Sequence, residues 1–527
     1  MSPPFYRCCG SFRLRNFGHP PLIAGHMAST FAVTRNHLIF GLCLPIALLL
    51  GYLLADAQDP MTIFAIGVAF VVLTIPLTLK WYHPLLLFCW NMGANPALPG
   101  RPALWAVMAF IAFLVAVLNR SINEDSRLAP VPKLTLPLLA ILGVVLGTAV
   151  MTGGIGLGVF RSGTVGGKNY FYLVAAIIGY FALASRTIPI GRAKLYVALF
   201  FLPALLALVG TVAARIGPAA GFVSVLYPME FEMAANNLVG PVDERVFSAG
   251  TAASMVLFWL LARVGVRGIF DYTKFWRALI FVFLFYAAAF GGFRSIAIYM
   301  MLAFAILFCL EGLWRTRLMA VTAVILFLGG ALLAGFVDKL PYSVQRSLSF
   351  LPLEVDPEVK MSADTSTEWR VEMWREAVKQ VPDYLFKGKG YTTTADEMYM
   401  VNFSMLAGHS RNWEWALLSG DYHNGPLSLI IPFGIYGLLA FLWLIVVGVR
   451  FLYRAYRDGP PELRTINALL FACFLARSIF FLTVYGAIAH DLFIFTGILG
   501  LSVALNVPHR SKTEPQSPTE LEPSPQI

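Results

Sequence analysis

Asp421-Tyr422-His423-Asn424-Gly425 runs without a break into the apolar stretch 426–449, and at this junction the chain changes character. Upstream lies the only long polar interval in the body of a very hydrophobic sequence, residues 338–424. An insert of about 85 residues between apolar runs is far longer than a connecting turn, and insertions of that length usually carry function. Downstream, 426–449 is long enough to cross a bilayer, which takes about 20 apolar residues. The junction therefore reads as the point where a folded polar insert re-enters a membrane.

The rest of the chain agrees. Of its 527 residues, 58% are hydrophobic and 13% charged. A soluble globule carries nearer ~25% charged residues. The expected fold is all-α, a polytopic integral membrane protein of about 12–14 transmembrane helices with one large loop domain outside. Spans are expected near 38–55, 61–79, 83–95, 103–118, 133–151, 169–185, 193–214, 246–262, 276–291, 293–310, 317–337, 425–449, 465–484 and 488–506. Pro84 and Pro96 interrupt the third, which reads as a half-helix. The net charge of +10 is a statement about topology before it is one about nucleic acid.

Basic loops recur on alternate sides. Arg120, Arg127 and Lys133 lie in 119–133, Arg186, Arg192 and Lys194 in 186–194, and Arg263, Arg267, Lys274 and Arg277 in 263–277. Arg315 and Arg317 follow, then Arg450, Arg454, Arg457 and Arg464. The positive-inside rule puts these loops and both termini in the cytoplasm and the insert outside. The parts are then a cytoplasmic segment 1–37, a bundle 38–337, a periplasmic loop domain 338–424, C-terminal spans 425–506 and a disordered tail 507–527. Met27 is a second candidate start.

Within the insert, Thr365 and Glu368 have capping-box spacing, and Trp369, Met373, Trp374, Ala377, Val378 and Val381 share one helical face. Pro382 is expected to end that helix. Its basic and aromatic residues suit a lipid–water interface, and packing on the rest of the insert is an equal alternative.

Arg294 follows Gly291-Gly292 at the outer mouth of two spans. An arginine at that depth is costly unless it is paired, bound to an anion or snorkelling to headgroups. Arg245 precedes a helix rich in small residues, and Asp243 and Glu244 beside it offer an ion pair instead. Arg161, Lys168, Arg215 and Arg370 are further outside cations, and together they suit phosphate oxygens. His423, flanked by Asp421 and Asn424, is placed to take a proton, because imidazole titrates near neutrality and a carboxylate can orient it. His409 has no such neighbour. Arg477 and His490-Asp491 form either a buried polar network or part of the same cavity. The six cysteines fall outside the insert, and no metal-ligand spacing, Asp-x-Asp pair or phosphate loop is present. No cofactor or metal is expected.

Three sets of residues then carry a resemblance. They are Arg294-Ser295 after the glycine turn; Arg370-x-x-x-Trp374-x-x-Ala377 followed by Phe386-Lys387-Gly388-Lys389-Gly390-Tyr391; and His423-Asn424 leading to Phe433-Gly434-Ile435-Tyr436-Gly437. Over about 276–450 the chain resembles the O-antigen ligase and O-antigen polymerase superfamily. Where that family commonly shows Ser-Arg, this chain has Phe293-Arg294. The resemblance implies metal-independent glycan transfer from an undecaprenyl diphosphate carrier on the periplasmic face of a bacterial inner membrane. It implies His423, Arg294 and Arg245 as catalytic residues, with Arg294, Arg245, Arg370, Asn424 and Arg215 holding substrate. Implied partners are the carrier-linked glycan, an acceptor such as lipid A–core, another glycan or a protein, and the bilayer, but no nucleic acid. A polymerase or a protein O-glycosylating enzyme shares the motif set. From another class, a transporter of carrier-linked glycans stands as the rival.

Overall fold

The computed structural model describes residue 48 and residues 60–96, 100–122, 131–153, 167–228, 246–393, 397, 399, 401, 403 and 413–507. The span expected at 38–55 falls almost wholly outside them, as do Arg161, Arg245 and His409. The chain divides into two compact units, 1–80 and 81–527. In the first, the described part is helical from Pro60.

Helices in chain order are α1 (Pro60–Trp90), α2 (Leu104–Ile122), α3 (Pro132–Met151), α4 (Gly167–Ala184), α5 (Ala193–Phe201) and α6 (Leu206–Ile216). Then come α7 (Phe247–Ile269), α8 (Trp276–Ala289), α9 (Arg294–Leu310) and α10 (Arg317–Phe336). The insert contributes α11 (Tyr342–Leu348), α12 (Pro357–Tyr384) and α13 (Glu414–Ser419). Last are α14 (Gly425–Asp458), α15 (Arg464–Thr483) and α16 (Ile488–Asn506). Eight helical stretches among the described residues are long and apolar enough to cross a membrane, and α8 and α9 are shorter apolar helices. No strand occurs among the described residues. The protein is an all-α polytopic membrane protein.

The expected spans 61–79 and 83–95 are two helical segments that meet at Trp81, where the backbone of Pro60–Trp90 leaves helical geometry. Pro84 falls in the first turn after that break, where a missing N–H has no intrahelical partner to lose. It therefore continues the helix rather than ending it.

The core of the second unit is built on close approaches. Trp90 lies between Gly179 of α4 and Gly497 of α16, where a Cβ on either glycine would strike the indole. The indole N–H donates to the Phe493 carbonyl at 3.2 Å. Gly250 of α7 and Gly291, in the α8–α9 turn, touch in the same way, so a Cβ at Gly291 would lie 3.2 Å from the Gly250 Cα. The small residues before the α7 midpoint thus let the α8–α9 hairpin sit against it.

The insert is tied to the spans at both ends of its fold. On one side, Ser347 of α11 donates to the Ala289 carbonyl at 2.7 Å, over the turn that precedes Arg294. On the other, α14 breaks at Gly434, at φ 67°. Pro432, just before the break, has no amide to donate. The backbone groups released there are taken up by the insert. The Lys389 amide donates to the Ile431 carbonyl at 2.8 Å and the Gly390 amide to the Pro432 carbonyl at 2.9 Å, while the Ile435 amide donates to the Leu385 carbonyl at 2.7 Å. A backbone break in a membrane helix is tolerated where protein covers it. Gly388 is required because a Cβ there would run into the Pro432 carbonyl, and its own φ is 73°. Two motifs separated by some 40 residues in sequence are therefore one structural unit.

The insert's main helix differs from the expectation at both ends. Asp356 caps α12 by accepting from the Glu358 amide at 2.8 Å, with Pro357 at the first helical position. Thr365 is an interior residue whose hydroxyl donates back to the Met361 carbonyl at 2.8 Å, so Thr365 and Glu368 form no capping box. Pro382 lies inside the last turn, and the helix runs on to Tyr384. The inward face is as expected for Met373 and Ala377, which are buried, whereas Val378 is exposed.

Candidate active site

Arg294 opens α9, immediately after Gly292 at φ 69° and Phe293 in extended conformation. Its guanidinium Nη2 donates to the Ala363 carbonyl and to Thr367 Oγ1, both at 3.1 Å. Arg294 thereby rivets the mouth of the α8–α9 hairpin to α12. One turn further along α12, on the same face, comes Arg370. Its guanidinium lies 5.3 Å from the Trp369 ring, and its buried Nε has no hydrogen-bond partner. Burial, and then the neighbouring charge of Arg294, push the Arg370 guanidinium below its ordinary range, while Tyr485 and Asp421 oppose the shift. Two partly buried cations thus share one mouth, and among the described residues no carboxylate is ion-paired with either, though the charge of Asp421 acts on Arg370.

The next turn of the same face carries Trp374, whose indole N–H donates to the Tyr422 carbonyl at 2.8 Å. Tyr422 is buried with Ala377, Leu427 and Ile431. This anchors Asp421-Tyr422-His423-Asn424 beneath α12. Asn424 caps α14, its Oδ1 accepting from the Leu427 amide at 3.1 Å. That commits one end of a side chain expected to hold substrate to a helix cap.

His423 sits at φ 50°, one of two non-glycine residues at positive φ among the described residues. Backbone strain of this kind persists where the surroundings over-determine it and concentrates at functional sites. Nδ1 of His423 is 2.8 Å from Asp421 Oδ1. Because the ionised carboxylate can only accept, the proton of neutral His423 is assigned to Nδ1, leaving Nε2 as the acceptor. Burial raises the Asp421 carboxyl, but the hydrogen bond and charge of His423, with the charge of His490, bring it below the ordinary carboxylate value. The imidazole is flanked by Trp369, 5.2 Å between centroids, and Tyr485, 5.1 Å. Burial, then the charges of Asp421 and Asp491, hold the Tyr485 phenol well above its usual range and so protonated.

The structure therefore brings together Arg294, Arg370, Asp421 and His423. It does not bring in Arg215, which is exposed at the end of α6 and joined to the cluster by no hydrogen bond or ion pair among the described residues. Arg245 lies outside the described residues. Arg477 and Asp491, left open between two readings, are a buried ion pair between α15 and α16. Sequence reasoning missed Tyr485, which stands in the short α15–α16 connection and carries no signal of its own. No group of three or more His, Cys, Asp or Glu side chains placed to hold a metal occurs among the described residues.

Residues 278–442 match the family model described as O-antigen ligase. The match begins in α8, takes in Arg294, the whole insert and His423, and ends in α14 past the break at Gly434. Over this segment, about a third of the chain, the protein is similar to the O-antigen ligase family, which supports membership of that superfamily. No curated protein matches it, and no solved structure does.

Proposed function

We propose that this protein is a membrane glycosyltransferase that moves a glycan from an undecaprenyl diphosphate carrier to an acceptor hydroxyl on the periplasmic face of a bacterial inner membrane, as an O-antigen ligase does. The observation that carries this reading is the pair of half-buried guanidiniums, Arg294 and Arg370, with no carboxylate ion-paired to either among the described residues, beside an Asp421–His423 dyad. Like charges held together out of water call for an anion between them, and the planar guanidinium fork matches phosphate oxygens.

In this reading Nε2 of His423 removes the proton from the acceptor hydroxyl. The freed oxygen attacks the anomeric carbon, and the bond from that carbon to the diphosphate oxygen breaks. Charge grows on the leaving diphosphate, where Arg294 and Arg370 meet it, with Arg245 joining them. Asp421 holds the ring in the tautomer that leaves Nε2 free and stabilises the imidazolium once it forms. Ligase, polymerase and protein O-glycosylation share this step and differ in the acceptor.

The test is transfer by purified protein in nanodiscs with EDTA present. Activity should persist in EDTA, and His423→Ala should lose ~10²–10⁴-fold while donor binding remains. His423→Gln should stay inactive, since an amide restores a hydrogen bond but not a base. Rescue by His423→Gln, or loss of transfer in EDTA restored by a divalent ion, would sink the mechanism.

A further inference from the structure

The Arg477–Asp491 ion pair is buried where two spans meet, and the step just described does not use it. Its neighbours show what it holds. Oδ1 of Asp491 takes the Arg477 guanidinium, and Oδ2 accepts from the Ala487 amide at 2.9 Å, reaching back over the start of α16. The Arg477 guanidinium lies over the rings of Tyr299 and Phe480, at 5.5 and 5.3 Å. The Phe480 carbonyl in turn accepts from the amides of Val484 and Tyr485, at 2.8 and 3.0 Å. Both ends of the connection 484–487 are thus pinned by groups that touch the pair.

Tyr485 is the side chain that this connection presents to His423. A second tie fixes the same loop to the start of α14. The Ile488 amide donates to Ser428 Oγ at 3.2 Å, and that hydroxyl donates to the Gly425 carbonyl at 2.8 Å. Gly486 and Gly425 meet so closely that a Cβ at Gly486 would lie 2.7 Å from the Gly425 Cα. The loop cannot shift without moving the residue two places after His423.

We propose that Tyr485 is a positioning residue for His423, and that the Arg477–Asp491 pair sets its place. His423 sits on a strained, non-helical backbone, and its one ring hydrogen bond among the described residues, 2.8 Å to Asp421, holds Nδ1 but leaves the tilt of the ring to its packing. Two aromatic rings close that freedom, Trp369 from the insert and Tyr485 from the last pair of spans. The last pair of spans would thus help fix the direction of Nε2, while the cations come from α9 (Arg294) and the insert (Arg370). This inference rests on the role of His423 proposed above.

The experiment uses the full-length protein in nanodiscs with Tyr485→Leu, Tyr485→Phe, Asp491→Asn and the double variant Tyr485→Leu/Asp491→Asn, beside His423→Ala. Tyr485→Leu should lower kcat about 10- to 100-fold, as a reacting group displaced by about an ångström does. KM for the donor should stay within about twofold, because binding is not touched. Tyr485→Phe keeps the ring and should stay within about threefold of the parent. The double variant should be no worse than the worse single one, because both act through one element.

A second readout does not depend on turnover. Carbethoxylation of His423 by diethyl pyrocarbonate, followed by peptide mass spectrometry, should run several-fold faster in Tyr485→Leu than in the parent or Tyr485→Phe. Unchanged kcat and unchanged modification in Tyr485→Leu, with His423→Ala inactive, would overturn the inference and leave the proposed function standing. So would Tyr485→Phe behaving as badly as Tyr485→Leu. If His423→Ala is itself active, the proposed function falls, and the modification rate alone then decides whether Tyr485 holds the ring. Should Asp491→Asn fail to yield folded protein, the two Tyr485 variants decide the matter.

Discussion

Two places near the same mouth hold arginines, and they hold them in opposite ways. Arg477 is buried against a carboxylate that is itself fully occupied by the guanidinium and a backbone amide. Arg370 is half-buried beside another arginine and forms no ion pair with a carboxylate among the described residues; the Nε is unpartnered in both arginines, so the difference lies in the charge. The first arrangement is closed: every charge has its answer within the chain. The second is open, and a protein that keeps like charges together out of water does so for something that arrives. In the proposed reading the first serves stability and the second function, a separation drawn between neighbouring helices.

Substitution should expose that separation most strongly when each region loses one charge. Asp491→Ala should lower stability by about 3–5 kcal/mol, because an arginine is left buried and alone. Arg370→Ala should leave the melting temperature level or higher, since it relieves repulsion with Arg294, yet cut transfer by about 10²–10³-fold. Thermal unfolding by tryptophan fluorescence, set against initial rates, separates the two. A large fall in stability for Arg370→Ala would mean that this region, too, is structural.

A smaller effect is expected at the junction between insert and span. Gly434→Ala puts a Cβ at positive φ against the Leu385 carbonyl, and should destabilise by about 1–3 kcal/mol with binding of the donor weakened in step. Gly329→Ala, in α10 where a Cβ meets open space, is the control and should change neither. Equal behaviour of the two would show that the insert does not lean on the α14 break.

The smallest effect concerns acid. The folded Asp421 carboxyl lies below its ordinary value, so its contribution to stability is fully present above the unfolded value, about 3.9, and is lost as pH falls through the folded one. Melting temperature should therefore fall as the pH drops below about 4, and Asp421→Asn should flatten part of that slope. Parallel curves for the two proteins would show that the carboxylate contributes nothing through His423.

These contrasts also explain what could be read from the sequence. Arg294 and His423 were visible because each interrupts a strong pattern, a cation at the end of an apolar run and a histidine at the end of a polar one. The spans were visible for the same reason, since about 20 apolar residues leave few alternatives. The start of α12 was misplaced because Asp356-Pro357 and Thr365-x-x-Glu368 both look like helix starts, and only packing decides between them. Asn424 was read as a ligand because a helix cap and a substrate contact use the same side chain. Tyr485 was invisible because its role depends on two spans meeting, and no local pattern records that. The Arg477–Asp491 pair lay in view, but the spacing could not say whether it faced a cavity or itself.

The break in α14 has a consequence for how the molecule is made. The amides of Lys389 and Gly390 are made before the helix whose Ile431 and Pro432 carbonyls they complete, and the two segments must fold together for either to be satisfied. Until the two meet, the outward half of α14 carries open backbone groups at its hinge, which lipid cannot answer. The insert thus acts on its own chain as an assembly partner: the groups released at the α14 break have their partners only when residues 385–390 have folded onto them. A copy with an unfolded insert therefore also has an unfinished helix.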